Sequence, residues 1–254
     1  MVTAAIKKLS VLTAALFIII TCSSIKHDIG GNKKTGTLKI SFINTVKSSP
    51  LVLDSTEYSN PFGETYHVSR LKYYISNIVV NNVQHSFNET DSYHLIDAND
   101  TASLNFSFET PVNNYNSISF IIGVDSIKNV SGAQSGALDP MHGMFWTWNS
   151  GYIFFKLEGQ SAASTIFNKR IEYHIGGFAG MNNALQSVTL PLQLQVHEGK
   201  TSAIIIAADI DKIWQGAGDL QIATTPATMT PGVLSKKIAD NYSNMFTVKE
   251  VLNH

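Results

Sequence analysis

The sequence predicts an all-β fold, an antiparallel β-sandwich with long loops and one or two short helices. Three observations carry this prediction. Runs rich in Val, Ile, Phe and Tyr alternate with polar residues at the two-residue period of a half-buried strand. Clusters of Asn, Gly, Ser and Asp, which supply turn conformations, separate the runs. Helical periodicity is confined to two short stretches. The chain has 254 residues, 44% hydrophobic and 15% charged, enough apolar side chain for one sizeable core. β-rich domains of about 250 residues commonly form a single unit. The organisation reads as a signal peptide over 1–21, a tether over 22–35 and one β domain over 36–254.

In chain order, Lys7 and Lys8 supply the positive start of an export signal, and Val11 to Ile20 form its apolar stretch. That stretch is short of the roughly 20 apolar residues of a spanning helix, and reads as a signal-peptide core. It ends Ile19-Ile20-Thr21-Cys22, which resembles a bacterial lipobox, where the cysteine is lipidated and becomes the mature N-terminus. The alternative is an ordinary cleaved signal with an incidental cysteine. A diacylglycerol plus an N-acyl chain anchors stably, because each buried methylene contributes about 0.8 kcal/mol. Ser23 to Thr35 is polar and contains Gly30-Gly31, as suits a tether.

The first strand begins at Thr37, where Leu38, Ile40 and Phe42 alternate with Lys39, Ser41 and Ile43. Further strands follow at Tyr66–Val80, Ser92–Ile96, Ala102–Phe108, Ser117–Val124, Tyr152–Leu157, Ile171–Ile175, Ser187–Val196 and Ala203–Ala208. Asp209–Trp214 fits one helical turn, and Ser235–Met245 a short helix capped by Ser235; Thr224–Gly232, with two prolines, is a loop. Two segments interrupt the strand count. Asp125–His142 is a long loop dense in Gly, Ser, Asn and Asp that runs into Met144-Phe145-Trp146-Thr147-Trp148. Loops of this length in compact domains tend to be functional. In Tyr173-His174-Ile175-Gly176-Gly177 a histidine ends a strand at a glycine pair, where backbone or ligand can approach closely.

Composition excludes several function classes. Lys+Arg number 18 against 19 Asp+Glu with no dense basic block, which argues against nucleic acid as a partner. One cysteine closes no intramolecular disulfide and builds no thiolate zinc or iron–sulfur site. There is no G-x-S-x-G elbow, H-E-x-x-H helix, P-loop or dinucleotide fingerprint, and no nucleophile–base pairing, so the chain is not expected to be an enzyme. Asp125, Asp139, Asp209 and Asp211 read as turn and capping residues, with calcium binding as the functional alternative. His142, set between Met141 and Met144 and followed by a Trp-x-Trp pair, is the more suggestive feature, together with His174. Imidazole and thioether are favoured ligands of Cu(I).

The block Gly136 to Tyr152, containing Met141-His142-Gly143-Met144-Phe145-Trp146-Thr147-Trp148, resembles the MbnP family, as do Phe154 to Gly159 and Tyr173-His174-Ile175-Gly176. Val68 to Ile78 and Gly123-Val124-Asp125-Ser126 are similar too. The family comprises copper-binding proteins of the bacterial periplasm and surface. The resemblance implies a mostly β fold and a Cu(I) site built from histidines and a tryptophan oxidised to kynurenine. It also implies a partner, a dihaem enzyme similar to cytochrome c peroxidases and called MbnH. Carried onto this sequence, it makes Trp146 or Trp148 the modified residue and His174 a ligand; His142 and Met144 are added from local chemistry. Relatives can place a histidine within or just after the tryptophan string, where this chain has Phe145, Thr147 and Trp148.

The expected product is therefore a copper-handling lipoprotein of the cell envelope, on the outer membrane and facing periplasm or surface. A non-catalytic surface module whose aromatic loop recognises a glycan, a peptide or a TonB-dependent outer-membrane receptor is the competing function.

Overall fold

The computed structural model describes residues 34–147 and 151–254. The signal peptide, Cys22 with its lipid anchor, most of the tether, and Trp148 lie outside the described residues. In chain order the strands begin β1 (Thr35–Val46), β2 (Ser49–Pro50), β3 (Tyr58–Ser59), β4 (Thr65–Asn81), β5 (Ser86–Asn88), β6 (Tyr93–Asp97), β7 (Asn105–Pro111) and β8 (Asn113–Ile122). Helix α1 (Ser126–Val130) and two 3-10 turns, Gly136–Leu138 and Pro140–His142, precede β9 (Phe145–Trp146). Then come β10 (Gly151–Gln160), β11 (Arg170–Gly176), β12 (Gln186–Val196), β13 (Thr201–Asp209), β14 (Ala227–Thr228), α2 (Val233–Tyr242) and β15 (Phe246–Leu252).

All nine strands read from alternation are present, and they form a sandwich of two sheets. The smaller sheet runs β15-β13-β1, with β7 and β2 along the far edge of β1. In the larger, β4 is the hub: β10 pairs its first half and β8 its second, while β6 pairs residues 72–76 from the other edge. The sheets are mixed rather than wholly antiparallel, because β1 and β13 run parallel from Thr37↔Thr201 to Thr45↔Asp209, and β11 and β14 are parallel as well. Such pairing joins strands distant in sequence and leaves no local turn signal to read.

The two inner faces meet through aromatic rings. Phe42 of β1 lies 6.2 Å from Tyr73 and 6.3 Å from Phe120 of the opposite sheet, and 6.1 Å from Phe246 beside it. Edge-to-face pairs of this kind contribute roughly 0.5–1.5 kcal/mol each beyond their buried area. The Tyr73 hydroxyl donates to Asn44 Oδ1 at 2.8 Å, so the buried oxygen is satisfied. A second aromatic group joins the end of β13 to the larger sheet. Trp214, fully buried, donates its indole N–H to Tyr66 Oη at 3.1 Å and packs edge-on to Tyr173.

Helix starts differ from the expected ones in detail. Ser235 does not cap: α2 begins at Val233 after Gly232, and the Ser235 hydroxyl, buried, donates to Thr230 O at 2.6 Å. The turn after β13 is present as Ile210–Ile213, with the Asp209 carboxylate accepting from Asp211 N. The long loop after β8 is more structured than its composition suggests. Tyr74 and Tyr152 hydroxyls donate to the carbonyls of Ala137 and Leu138, fastening the first of its 3-10 turns to the larger sheet.

Candidate functional site

Strand β11 alternates faces. Ile171, Tyr173 and Ile175 are fully buried in the core, so Glu172, His174 and Gly176 present the outward face of the larger sheet. Trp146 belongs to β9, which pairs Trp146 with Gly151 at the start of β10. Its ring crosses to β11: a Cβ placed on Gly176 would lie 2.8 Å from Trp146 Cζ3 and 2.9 Å from Cη2. A Cβ at Gly176 points to the same side as that of His174, two residues before it, so the Trp146 ring and the His174 imidazole share one face. Glycine is required at 176 because any side chain would occupy the ring's space, the close approach its sequence context predicts. Trp146 is 5% exposed and also borders a cavity of about 180 Å³ with Asn129, Phe178 and Pro231.

Around His174 lie charges that sequence reasoning did not single out. Register places His174 opposite Lys156, which is opposite Lys72, and the next row is Glu172, Glu158 and Arg70. Glu158 is the centre. Its Oε1 takes His174 Nε2 at 2.8 Å and lies 3.9 Å from Lys156 Nζ, while its Oε2 takes Arg70 Nη1 at 2.6 Å. The hydrogen bond from His174 pulls the Glu158 carboxyl down to about 2, against burial and with help from Arg70. Burial pulls the Lys156 ammonium below its ordinary value, opposed by Glu158. The signal for this cluster was present as charged residues inside an apolar strand, Lys156 and Glu158 within β10.

The two lysines also hold the preceding loop. Lys72 Nζ donates to His142 O at 3.2 Å, and Lys156 Nζ donates to Gly143 O. His142 therefore reaches this face through its main chain; its exposed imidazole Nε2 bonds Gly136 O at 3.0 Å. Met144 is fully buried in the core, and its carbonyl accepts from Ile153 N. The structure thus places His174 and Trp146 on one face of β11, directs the His142 ring to its own loop, and sends the Met144 side chain inward.

The aspartates sit at helix starts. Asp125 Oδ1 accepts from Ile127 N and Lys128 N, and its Oδ2 takes Asn77 Nδ2 and the Tyr93 hydroxyl. Asp139 accepts from Met141 N, and Asp209 from Lys47 N. Asp211 has one carboxylate oxygen, Oδ1, buried without a hydrogen bond among the described residues, and burial raises its pKa. No group of three or more His, Cys, Asp or Glu arranged to hold a metal ion occurs among the described residues.

Copper chemistry can be tested against these donors. An indole nitrogen is a hydrogen-bond donor without a usable lone pair. Kynurenine, with the pyrrole ring opened, carries an aryl amine that has one. Cu(I) is satisfied by few soft ligands, so an imidazole and an amine are a chemically sufficient start. As they stand, the described residues on this face offer one imidazole, His174, on the same side as Trp146, whose indole is not a metal ligand.

A family model described as MbnP matches residues 35–231. Among solved structures the chain is similar to MbnP from Methylosinus trichosporium, at 13% sequence identity over 71% of this chain and 78% of that one, with a TM-score of 0.49. No curated protein matches the chain.

Proposed function

The chain belongs to the MbnP family, and from that membership we propose that it is a non-catalytic, exported protein that binds Cu(I) and serves copper acquisition or handling in the cell envelope. In this reading Cys22 carries the lipid that holds it to the outer membrane. With two equivalents of peroxide as oxidant, a dihaem, peroxidase-like partner would oxidise Trp146 or Trp148: the indole C2–C3 bond breaks, the C2 carbon leaves as formic acid, one water is released, and the freed aryl amine of kynurenine would join His174 as ligand.

One observation carries the reading. Trp146 and His174 are 28 positions apart in sequence, and Gly176 lets the ring of the first lie on the strand face that bears the second. The chain's own part is to hold these groups. β11 fixes the imidazole, β9 and Gly176 fix the ring, and the ammonium groups of Lys72 and Lys156 grip the carbonyls of the loop that leads to Trp146.

The test is co-expression with a dihaem partner followed by intact mass and bound-copper analysis. The wild type is expected to show the mass of a tryptophan-to-kynurenine conversion and to retain Cu(I), whereas His174→Ala retains the modification and loses copper. An unmodified tryptophan pair together with no retained Cu(I) overturns the proposal.

A further inference from the structure

The outward face of the larger sheet changes character at its other end. There β12 is the last strand and pairs with β8. The 10 residues of β8 and the 11 of β12 include no Asp, Glu, Lys, Arg or His, in a chain where 15% of residues are charged. Sheet edges ordinarily carry charge, which keeps them solvated and free of other strands. Here the exposed positions Asn114, Asn116, Gln193 and Gln195 are carboxamides. Strand pairing brings them together: Asn114 lies opposite Gln195, and a bulge sets Leu192 and Gln193 against Asn116. Bulges re-aim side chains and recur beside functional sites. The turn between β4 and β5 walls a cleft over these residues. Asn82 Oδ1 accepts from Gln84 N at 2.9 Å and from His85 N at 2.8 Å, and Asn82 Nδ2 donates to Asn113 Oδ1 and Asn114 O, so the turn is fastened to β8. The cleft has a volume of about 390 Å³, within the range of about 300–1,000 Å³ usual for small-molecule sites. Around it the side-chain amides of Gln84, Asn114, Asn116, Gln193 and Gln195 make no hydrogen bond with any described residue.

We propose that this cleft is a binding site for a neutral oligosaccharide, separate from the face that bears His174. A carboxamide sets two N–H donors beside a carbonyl acceptor, a pattern that the neighbouring hydroxyls of a sugar complement, since each hydroxyl both donates and accepts. The lining carries no ionised side chain, so a charged ligand would lose hydration there without gaining a counter-charge. Val83, 93% exposed, and Leu192 supply aliphatic contact for the C–H groups of a sugar ring. A peptide strand is the competing occupant, and the edge of β12 is closed to it. Gln195 N donates to Asn253 Oδ1 at 2.8 Å, Asn253 Nδ2 donates to Gln193 O at 3.2 Å, and the Ser202 hydroxyl donates to Gln195 O at 2.6 Å. Strand addition needs those main-chain groups free. Tyr115, the aromatic residue of the lining, is buried and offers no stacking platform. Affinity then rests on amides that exchange water for ligand at small net gain, which sets the expected Kd at about 0.1–10 mM.

The experiment is ¹H–¹⁵N NMR of the full chain, purified in a detergent without a sugar headgroup and titrated through that concentration range with cellotetraose, maltohexaose and chitotetraose. The side-chain NH₂ signals of Asn114, Asn116, Gln193 and Gln195 are expected to shift saturably with at least one of these sugars, while those of the buried Asn129 and Asn241 stay in place. A neutral Ser/Asn peptide and an acidic oligogalacturonate are expected to move none of them. Asn116→Ala combined with Gln195→Ala, both at exposed positions, should weaken the binding about tenfold with an unchanged melting temperature. Ser187→Ala, exposed on β12 outside the cleft, should leave it as in the wild type. No saturable shift with any of the three sugars, shifts confined to amides outside the cleft, a response only to the peptide, or an affinity untouched by the double substitution overturns the assignment. The wild-type titration decides even where a variant fails to fold, and none of these readings depends on copper.

Discussion

Gly176→Ala tests the packing on which the site depends. The added Cβ would meet three atoms under 3.0 Å: the Tyr152 carbonyl oxygen at 2.5 Å and the Cζ3 and Cη2 atoms of Trp146 at 2.8 and 2.9 Å. A flexible side chain could move aside at little cost, but here one neighbour is the backbone of the paired strand and the other a ring that is 5% exposed. Overpacking of this kind costs about 1–3 kcal/mol, and the backbone contact places it near the upper end. In a domain of this size each kcal/mol lowers Tm by about 2–4 °C, so a fall of roughly 6–12 °C is expected. The assay is thermal unfolding by circular dichroism, repeated in a Trp146→Leu background. Shortening the ring relieves two of the three contacts, so Gly176→Ala should cost about 1 kcal/mol less there than in the wild type, a coupling typical of touching residues. A melting point within about 1 °C of wild type, or strict additivity of the two substitutions, would refute the placement of Trp146 over β11.

Three further outcomes follow from the same geometry. The Glu158 carboxyl is held down to about 2 in the folded protein, against near 4.3 in an unfolded chain, so its pairing stabilises the fold above about pH 4.5, by about 1–2 kcal/mol once solvent screening of this half-buried group is allowed for. That contribution is lost as pH falls from about 4.5 to 2, and urea midpoints across this window should fall less steeply for Glu158→Gln. Trp214→Phe removes the donor to Tyr66 and part of a fully buried ring, and a loss of about 2 kcal/mol by urea denaturation is expected. Lys156→Met releases the Gly143 carbonyl, and hydrogen exchange at Gly143 to Phe145 should accelerate while the core strands β4 and β8 keep their protection.

The strands were legible in the sequence where alternation was uninterrupted. β12, whose residues alternate between buried and exposed from Val188 to Val196, is the clearest case. β15 was missed because Lys249 and Glu250 sit together where a bulge opposite Ile205 and Ile206 inserts an extra residue, which breaks the two-residue period. His174 and Trp146 were named from residue type and resemblance, and Gly176 from its position at a strand end. Glu158 was not, because a glutamate in a strand reads as a solvated position. Its partners Arg70 and His174 come from two other strands, and only the register of β4, β10 and β11 aligns them.

That register also gives meaning to the low charge content of the chain. Taking ionised groups partly out of water on a sheet face is costly unless each finds a partner. Here the partners are distributed without remainder among the groups around Glu158: Arg70 and His174 share its two oxygens, Lys72 reaches Asp97 at 2.8 Å, and Lys156, the most buried, ends on a main-chain carbonyl. Three strands supply the frame, so side-chain positions are set by pleat and register, which vary less than loop conformations. The loop that delivers Trp146 is then gripped by two of the same cations. A half-buried charged row on this face thus does two things at once: it holds one imidazole and fastens the segment whose tryptophan packs on Gly176 of the same strand.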